Sequence, residues 1–451
     1  MNDSNLNVSA ASPDIKVMNL TFGEAARTWA KIGILSFGGP AGQIALMHRV
    51  LVDEKKWIEE PHYLTALNFC MLLPGPEATQ LATYVGWRLH GIAGGLTAGL
   101  LFVLPGAMVV LALSMLYAAF GQLPVAEAVL LGVKAAVLAI VVEALLRIAR
   151  RGLKARFDQI LAGAAFVAIF FFGVPFPFIV LGAAIIGFLR EHASGQAGGQ
   201  TASSVAVPLP APVPITRTIA TTALWLAIWI IPLLAVAGMF GPDHVLPRIG
   251  LFFSKLAVVT FGGAYAVLAY MAQDVVQHYG WLEAGEMVDG LGLAETTPGP
   301  LILVTEFVGF LAAFRHGGGN PWVMGILGAL VTLWATFAPC FLWIFVGAPY
   351  IERLRSAPRL QSALSAVTAS VVGVILNLTV WFALHVLFAS VAETWAGPLR
   401  LYLPVIASLD IAALLLTGLA IGLLFGMHTG IVTALTVCAA VSLGAHAAGL
   451  I

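Results

Sequence analysis

The sequence Leu73-Pro74-Gly75-Pro76-Glu77 interrupts a long apolar segment, and a second breaker occurs as Thr297-Pro298-Gly299-Pro300. Proline has no amide hydrogen and clashes with the preceding helical turn, so a Pro-Gly-Pro run cannot lie within a continuous helix. Inside a bilayer, an opened backbone is tolerated only where it is buried in protein or lines a polar cavity. We therefore expect both breakers to lie midway along a path for a polar solute.

Both breakers belong to an internal repeat. The motif Phe37-Gly38-Gly39 precedes Phe261-Gly262-Gly263 by 224 positions, and Pro74 precedes Pro298 by the same distance. The same offset relates two further pairs, Lys31 with Lys255 and Trp57 with Trp281. The chain is therefore interpreted as a duplicated module.

The composition defines the class of protein. The chain has 451 residues, of which 60% are hydrophobic and 10% charged, and its mean hydropathy is +0.96. Runs of about 20 apolar residues, enough for a helix to cross a bilayer, recur along the whole length. The sequence therefore predicts an all-α polytopic membrane protein surrounded by lipid.

Several function classes are disfavoured. A formal net charge of zero argues against nucleic acid as a partner, because nucleic acid requires a basic surface. The three cysteines, Cys70, Cys340 and Cys438, occur singly and predict neither a disulfide frame nor a metal site. The sequence contains no Gly-x-x-x-x-Gly-Lys-Ser/Thr loop for nucleotide phosphates. We expect a gradient-driven transporter with no metal, no cofactor and no enzymatic activity.

The chain divides into five parts. These are an amino-terminal tail (1–20), a first module (21–190), a flexible Gly-, Ser-, Ala- and Pro-rich linker (191–217), a connecting transmembrane helix (218–240) and a second module (245–446). Beyond the second breaker we predict helices at about 321–347, 360–388, 399–417 and 427–446.

Basic residues predict opposite orientations for the two modules. In the first module they follow the Gly-Gly element and the fourth helical segment: Arg49, Lys55, Lys56, Arg147, Arg150, Arg151, Lys154 and Arg156. The equivalent loops of the second module have no Lys or Arg, and the loop that is neutral in the first module carries Arg353, Arg355 and Arg359 instead. Because basic loops stay in the cytoplasm, we expect inverted-topology repeats with a cytoplasmic amino terminus.

Two topologies remain open for the broken segments. If Lys55 and Arg151 share the cytoplasmic side, the segment 63–90 is a re-entrant hairpin bent at its breaker. In the competing model both broken segments span the membrane, which gives 13 crossings and puts Lys55 outside. Both models retain the inversion and the cytoplasmic amino terminus.

The residues around the breaks indicate an anion site. A helix amino terminus has free amide hydrogens and a positive partial charge, so the half-helices beyond the breaks attract anions. The backbone expected to line the site comprises Gly38, Gly39, Pro74, Gly75, Pro76, Gly262, Gly263, Pro298, Gly299 and Pro300. The side chains expected to act there are Glu77, Gln80, Thr297 and the repeat-related lysines Lys31 and Lys255. Snorkelling to the membrane interface is the alternative for Lys31.

Ionisable residues at membrane depth form a second group of candidates. Glu77, Glu295 and Glu306 are candidates for proton coupling, with exposure at an aqueous surface as the alternative. Lys134, alone in an apolar helix, is a candidate for the solute pathway. Glu143 and Arg147 are four positions apart and are expected to form an ion pair.

These motifs resemble those of the chromate transporter family in its long two-domain form. The resemblance rests on Phe37-Gly38-Gly39-Pro40, Pro74-Gly75-Pro76 with Gln80 and Gly86, Phe261-Gly262-Gly263-Ala264, and Thr297-Pro298-Gly299-Pro300 with Gly309. It covers both modules. It implies an exporter of chromate in the bacterial inner membrane that confers chromate resistance, with sulfate as a related or competing anion and the proton-motive force as driver. Whether the protein forms a homodimer is left undecided by the sequence.

The second module departs from this pattern, because Leu301 stands in place of Glu77 and Val304 in place of Gln80. The two half-sites are therefore not equivalent. A dianion leaving a negative interior gains roughly 4.6 kcal/mol per 100 mV, which favours export. The leading hypothesis is an antiporter in which one module rocks against the other. The alternatives are a sulfate or molybdate importer, a gated anion channel, and a membrane-embedded reductase.

Overall fold

The computed structural model describes residues 20–194, 214–261, 264–351 and 358–450. Most of the predicted tail, most of the linker, Gly262, Gly263 and the loop arginines Arg353 and Arg355 lie outside these residues. The described chain is predominantly helical, with one β-hairpin.

The helices follow the repeat. The first module contains α1 (Phe22–Leu35), α2 (Gly39–His48, continued by a π-helical turn Arg49–Glu54), α3 (Glu60–Cys70), α4 (Glu77–Phe120), α5 (Pro124–Gly152), α6 (Arg156–Phe172) and α7 (Phe176–Ser194). The connecting helix is α8 (Ile215–Phe240). The second module contains α9 (Val245–Val259), α10 (Ala264–Ala272, continued by Gln273–His278), α11 (Ala284–Thr296), a 3₁₀ turn (Leu301–Leu303), α12 (Val304–His316), α13 (Pro321–Gly347), α14 (Pro358–Leu387), α15 (Ile411–Ile421, continued by Gly422–Gly426) and α16 (Ile431–Ala447).

Short helices of the first module form hairpins. Their outer ends, which are the ends remote from the Gly-Gly and Pro-Gly-Pro breaks, lie close together. The turn between α1 and α2 uses Gly38 in a left-handed conformation (φ 84°). The Lys55 Nζ atom, just beyond α2, lies 2.9 Å from the Glu24 Oε1 atom near the start of α1. The His90 Nε2 atom of α4 lies 3.0 Å from the Leu20 carbonyl oxygen. The segment from α1 to Lys55 and the segment from α3 to His90 therefore both return to the region where α1 starts.

Helix α4 folds back on itself at His90 and Gly91. Gly91 has φ 62° and ψ −153°, a conformation that glycine adopts at little cost. The two arms, residues 77–90 and 92–120, run antiparallel, because the backbones at Gly86 and Gly94 approach too closely for any side chain between them. Only the second arm is long enough to cross a bilayer.

The second module repeats this arrangement. Arg315 at the end of α12 forms an ion pair with Glu286 near the start of α11. The His244 Nε2 atom, just before α9, lies 2.9 Å from the Gly317 carbonyl oxygen after α12. The contact joins the same two regions as in the first module, with the histidine on the other partner. The hairpins α9–α10 and α11–α12 thus also bring their outer ends together.

Five helices are long and apolar enough to cross a membrane, and the described chain also has three shorter apolar helices. The five are α4, α5, α8, α13 and α14, and the shorter ones are α7, α15 and α16. Helix α8 buries Trp225 and Trp229 against Phe341 and Phe345 of α13 and leaves most of its apolar surface exposed. The chain is therefore a multi-pass membrane protein.

The helices sort into two bundles, each built from both modules. The core bundle contains α1–α4 and α9–α13, with α8 at its rim. The interleaved bundle contains α5–α7 and α14–α16. Its helices cross closely at glycines: Gly132 of α5 faces Cys438 of α16, and Gly187 of α7 faces Ala363 of α14. Small residues permit such approach between membrane helices.

The prediction of a helix from residue 399 is wrong. Residues Val391–Ala396 and Leu399–Pro404 form an antiparallel β-hairpin. Gly397 takes a positive φ of 63° in the turn, and β-branched and aromatic side chains favour extended backbone on both sides. The next helix starts only at Ile411, where the Asp410 Oδ1 atom accepts a hydrogen bond from the Ala413 N–H.

Candidate functional site

The two breakers are held by the opposite module. The Gly75 N–H donates to the Thr260 carbonyl oxygen after α9 (3.0 Å), and the Gly299 N–H donates to the Ser36 carbonyl oxygen after α1 (2.9 Å). Ser36 and Thr260 are equivalent positions of the repeat, as are the two glycines. The two hydrogen bonds are therefore a reciprocal pair that joins the breaks of both modules.

Each breaker also packs against a long helix of the other module. Gly75 (φ 102°) and Gly299 (φ 89°) take left-handed conformations. A Cβ atom at Gly75 would lie 3.5 Å from the Cys340 Sγ atom of α13, and one at Gly299 would lie 3.2 Å from the Gly106 Cα atom of α4. Conformation therefore favours glycine at both positions, and at Gly299 the close approach of α4 adds a limit of space.

A small pocket lies between the breakers. The starts of four helical segments line it: Pro40 and Gln43 of α2, Pro76 and Glu77 of α4, Ala264 of α10, and Pro300 and Leu301 before α12. The first amides of a helix have no partner within that helix, and the helix dipole adds about half a positive charge there. The partial positive charge of these helix starts therefore favours an anion over a cation at the pocket.

Gln43 is a pocket residue that sequence reasoning missed. Its Nε2 atom donates to the Gly299 carbonyl oxygen at 2.6 Å, and the side chain is almost completely buried. The Oε1 atom has no hydrogen-bond partner among the described residues. Gln43 joins α2 to the second breaker and lines the pocket, but its contact lies 256 positions away and leaves no local signal in the sequence.

The two polar residues predicted beyond the first breaker have different surroundings. Glu77 is half-buried and lines the pocket. The buried Gln80 instead donates from its Nε2 atom to the Pro74 carbonyl oxygen at 2.7 Å. Gln80 therefore braces the breaker of its own module and is not among the residues that line the pocket.

Glu295 and Thr297 lie at the carboxyl end of α11, just before the second breaker. The Tyr265 O–H donates to the Glu295 Oε1 atom at 2.8 Å, and both residues are buried. Within the described chain the Glu295 Oε2 atom has no hydrogen-bond partner, and it lies near Gly39, 3.9 Å from where a Cβ atom would be. The Thr297 hydroxyl donates to the Ala294 carbonyl oxygen and so serves the end of α11.

The predicted lysines do not reach the pocket. Lys31 and Lys255 are exposed, and neither lines the space between the breakers. The Lys255 Nζ atom lies 5.5 Å from the centre of the Tyr270 ring. Glu306 is buried away from the pocket lining, and its Oε2 atom has no partner in the described part of the chain. The expectation of two matched positive charges at the site is therefore not met.

Charged residues link the two bundles. The Lys134 Nζ atom of α5 lies 3.2 Å from the Asp289 Oδ2 atom of α11, and the Tyr117 O–H donates to the same atom at 3.0 Å. Asp289 is buried. Glu143 and Arg147 form the ion pair that their spacing predicts. Lys134 thus pairs with the core bundle and not with lipid, while the described residues contain no cluster suited to a metal ion.

Fold and site together define an all-α membrane protein of two homologous modules whose broken helices meet at an interior pocket. A family model for chromate transporters matches residues 23–188 and 247–445. The chain therefore belongs to the chromate transporter family.

Two curated relatives are named as chromate transport proteins. That of Cupriavidus metallidurans is 31% identical over 358 residues, which cover 78% of this chain and 80% of the relative. That of Pseudomonas aeruginosa is 32% identical over 351 residues, which cover 76% and 77%. An uncharacterized transporter of Methanocaldococcus jannaschii is 26% identical over 80% of this chain and 84% of its own. No solved structure is significantly similar to the chain.

Proposed function

We propose that the protein is a secondary active transporter that exports chromate across the bacterial inner membrane. The observation that carries this proposal is the pocket at which four helix starts, two from each module, converge. Membership of the family and two relatives named as chromate transport proteins support chromate as the substrate. Sulfate, which has the same shape and charge, is the expected competitor.

The proposal includes re-entrant, inverted modules. The contacts of Lys55 with Glu24 and of His90 with Leu20 support hairpins that return to their own side of the membrane. The second arm of α4 starts on that side, and its far end carries Tyr117, which contacts α11. This contact supports hairpins of the second module that enter from the opposite side.

The resulting topology has nine crossings, made by the second arm of α4, by α5–α8 and by α13–α16. The competing model with 13 crossings loses support, because it separates the outer ends that the contacts join. The basic residues around Lys55 favour the cytoplasm for the side on which α1 starts. The carboxyl terminus would then lie outside.

The binding chemistry proposed for the pocket relies on backbone dipoles. No lysine or arginine is among the residues lining the pocket, so chromate would be held by helix amino termini and not by full counter-charges. Glu77 opposes the anion when ionised, which couples chromate binding to its protonation state. Glu295 and Glu306 remain further candidates for proton coupling.

The proposed transport motion follows the bundles and not the repeats. The modules interleave in α5–α7 and α14–α16, so rocking one module against the other would separate closely packed helices. We instead assign the motion to the core bundle, which carries the pocket, against the interleaved bundle. Lys134 and Asp289 form a contact between the two bundles that must change during such a motion.

The test is chromate uptake into everted membrane vesicles, with and without an uncoupler. Export from cells appears as uptake here, and we expect the uncoupler to reduce it. In proteoliposomes, unlabelled chromate inside should drive counterflow of labelled chromate for a carrier and not for a channel. Uncoupler-insensitive equilibration without counterflow would contradict the proposal.

A further inference from the structure

A second pocket lies where the β-hairpin meets the end of α10 and the face of α14. It is small and partly open to solvent. Its polar lining comprises Gln273, Gln277, Asn377, Arg400 and Tyr402. We call it the hairpin pocket.

Arg400 in this pocket is a buried cation without an anionic partner. Its side chain is 5% exposed, and no carboxylate lies within salt-bridge distance in the part of the chain that is described. The Nη2 atom donates to the Ile169 carbonyl oxygen (2.9 Å), the Nε atom to that of Phe170 (3.4 Å), and the Nη1 atom to the Gln277 Oε1 atom (2.9 Å). All three acceptors are neutral. A buried charge is normally paired, because desolvating it alone is costly.

A purely structural role explains only part of this arrangement. Ile169 and Phe170 lie in the last turn of α6, where carbonyl groups lack partners, so Arg400 caps that helix. The helix carboxyl terminus supplies only about half a negative charge. A guanidinium has five N–H donors, and the three hydrogen bonds leave two of them for another acceptor. The guanidinium also lies 5.1 Å from the centre of the Tyr402 ring, a cation–π contact that compensates a further part of the charge. Two donors and the rest of the charge remain for an anionic ligand.

The neighbouring side chains are donors suited to the same ligand. The Tyr402 hydroxyl accepts a hydrogen bond from the Gln277 Nε2 atom (2.8 Å), which leaves its own proton to donate. The Gln273 Oε1 atom is buried without a partner in the described chain, and exchanging the oxygen and nitrogen of that amide turns donors to the pocket. The lining contains no acidic residue.

The site is confined to the second module. The repeat equivalents of Gln273 and Gln277 are Arg49 and Asp53, on a charged surface without a β-hairpin. Helix α10 connects the two pockets, because it starts at Ala264 beside the central pocket and reaches Gln273 roughly 14 Å further along.

We propose that the hairpin pocket binds a tetrahedral oxyanion of the chromate and sulfate class, as a second site that exchanges with the central pocket. The inference rests on the proposed function for the identity of the anion. In the topology given above, the hairpin pocket faces the outside and receives chromate as it leaves.

The test is a calorimetric titration of the purified full chain with sulfate and with chromate, together with sulfate-dependent thermal unfolding. The wild type should show two classes of site. Arg400→Gln should weaken one class about tenfold or more, since hydrogen bonds to a charged group are lost. Arg400→Lys keeps the positive charge but lacks the forked donors of a guanidinium, so its sulfate affinity should lie between those of the wild type and Arg400→Gln. Arg359→Gln, at an exposed position outside the pocket, is the matched control.

Asn377→Leu provides a second variant that leaves the cap on α6 in place, and it should weaken the same class of site. A lower melting temperature of Arg400→Gln with an unchanged sulfate-induced shift, or unchanged titrations for both variants, would reduce Arg400 to a helix cap and overturn the inference. If wild-type vesicles fail to transport chromate while sulfate binding still depends on Arg400, the proposed function fails and the hairpin pocket stands.

Discussion

Two buried amides brace the two breakers from different positions. Gln43 binds the Gly299 carbonyl oxygen across the modules and borders the central pocket. Gln80 binds the Pro74 carbonyl oxygen within its own module and does not border the pocket. Because the two hydrogen bonds are chemically alike, the pair separates stabilisation of a breaker from binding of the anion.

Gln43→Leu should weaken chromate binding about tenfold, because a buried hydrogen bond worth roughly 1–3 kcal/mol is lost at the pocket wall. The half-saturating chromate concentration for vesicle uptake measures this effect. Gln80→Leu is the control, and it should lower the melting temperature with a much smaller change in half-saturation. Equal losses of affinity in both variants would show that Gln43 acts only through the breaker.

Glu77→Gln should strengthen chromate binding at alkaline pH and flatten the pH dependence of transport. The ionised carboxylate repels a dianion in the adjacent pocket, so chromate binding should weaken as the pH rises in the wild type. The variant has no carboxylate, so this weakening should be absent. Half-saturation measured between pH 6 and pH 8.5 tests this prediction. Glu60→Gln, at an exposed surface position, should keep the wild-type profile.

Sequence reasoning identified residues that depend on local pattern. The sequence predicts Glu77 as a site residue because it directly follows a helix breaker. Gln43 and Tyr265 were missed because their partners come from distant segments and nothing near them marks the contact. Lys31 and its repeat equivalent were expected at the site by symmetry, but sequence spacing does not reveal which face of α1 carries them.

At the scale of elements, each breaker donates a hydrogen bond to the carbonyl group that follows a helix of the other module. Gly75→Ala and Gly299→Ala should each cost about 1–2 kcal/mol, since a Cβ atom is disfavoured at these left-handed positions. Each change should lower the melting temperature and slow chromate uptake. Gly238→Ala is the matched control in α8, where no atom lies near the added Cβ and the conformation is not left-handed. It should leave transport unchanged.

The long apolar helices were predictable from the sequence, because hydrophobic length alone defines them. The sequence leaves the fold-back of α4 open, since a single glycine after a histidine does not distinguish a kink from a hairpin. The β-hairpin was missed for a related reason. Its apolar residues satisfy helical and extended patterns equally over such a short stretch.

For the whole molecule, inversion predicts opposite accessibility of equivalent positions. Lys55 and Tyr279 are related by the repeat offset. Lys55→Cys should react with an impermeant thiol reagent from the cytoplasmic side, and Tyr279→Cys only from outside. The native cysteines are buried and should give little background. Labelling of both positions from one side would exclude inverted modules.

The repeat, the two modules and the inversion hypothesis all came from sequence offsets and loop charges. The partition into two mixed bundles did not, because it depends on which apolar faces fit together, and glycine contacts between distant helices carry no periodic signal. For this reason the proposed motion moves the core bundle against the interleaved bundle, and not one module against the other.

Interleaving also has a consequence for the integrity of the chain. Helices α5–α7 bury their apolar faces against α14–α16, so each half-polypeptide on its own would display the surfaces that its sister half covers. A protease site inserted between residues 194 and 214 should yield two fragments that co-purify and still carry chromate. Either fragment expressed alone should be degraded, so two separately encoded halves should give a functional protein only when they are co-expressed.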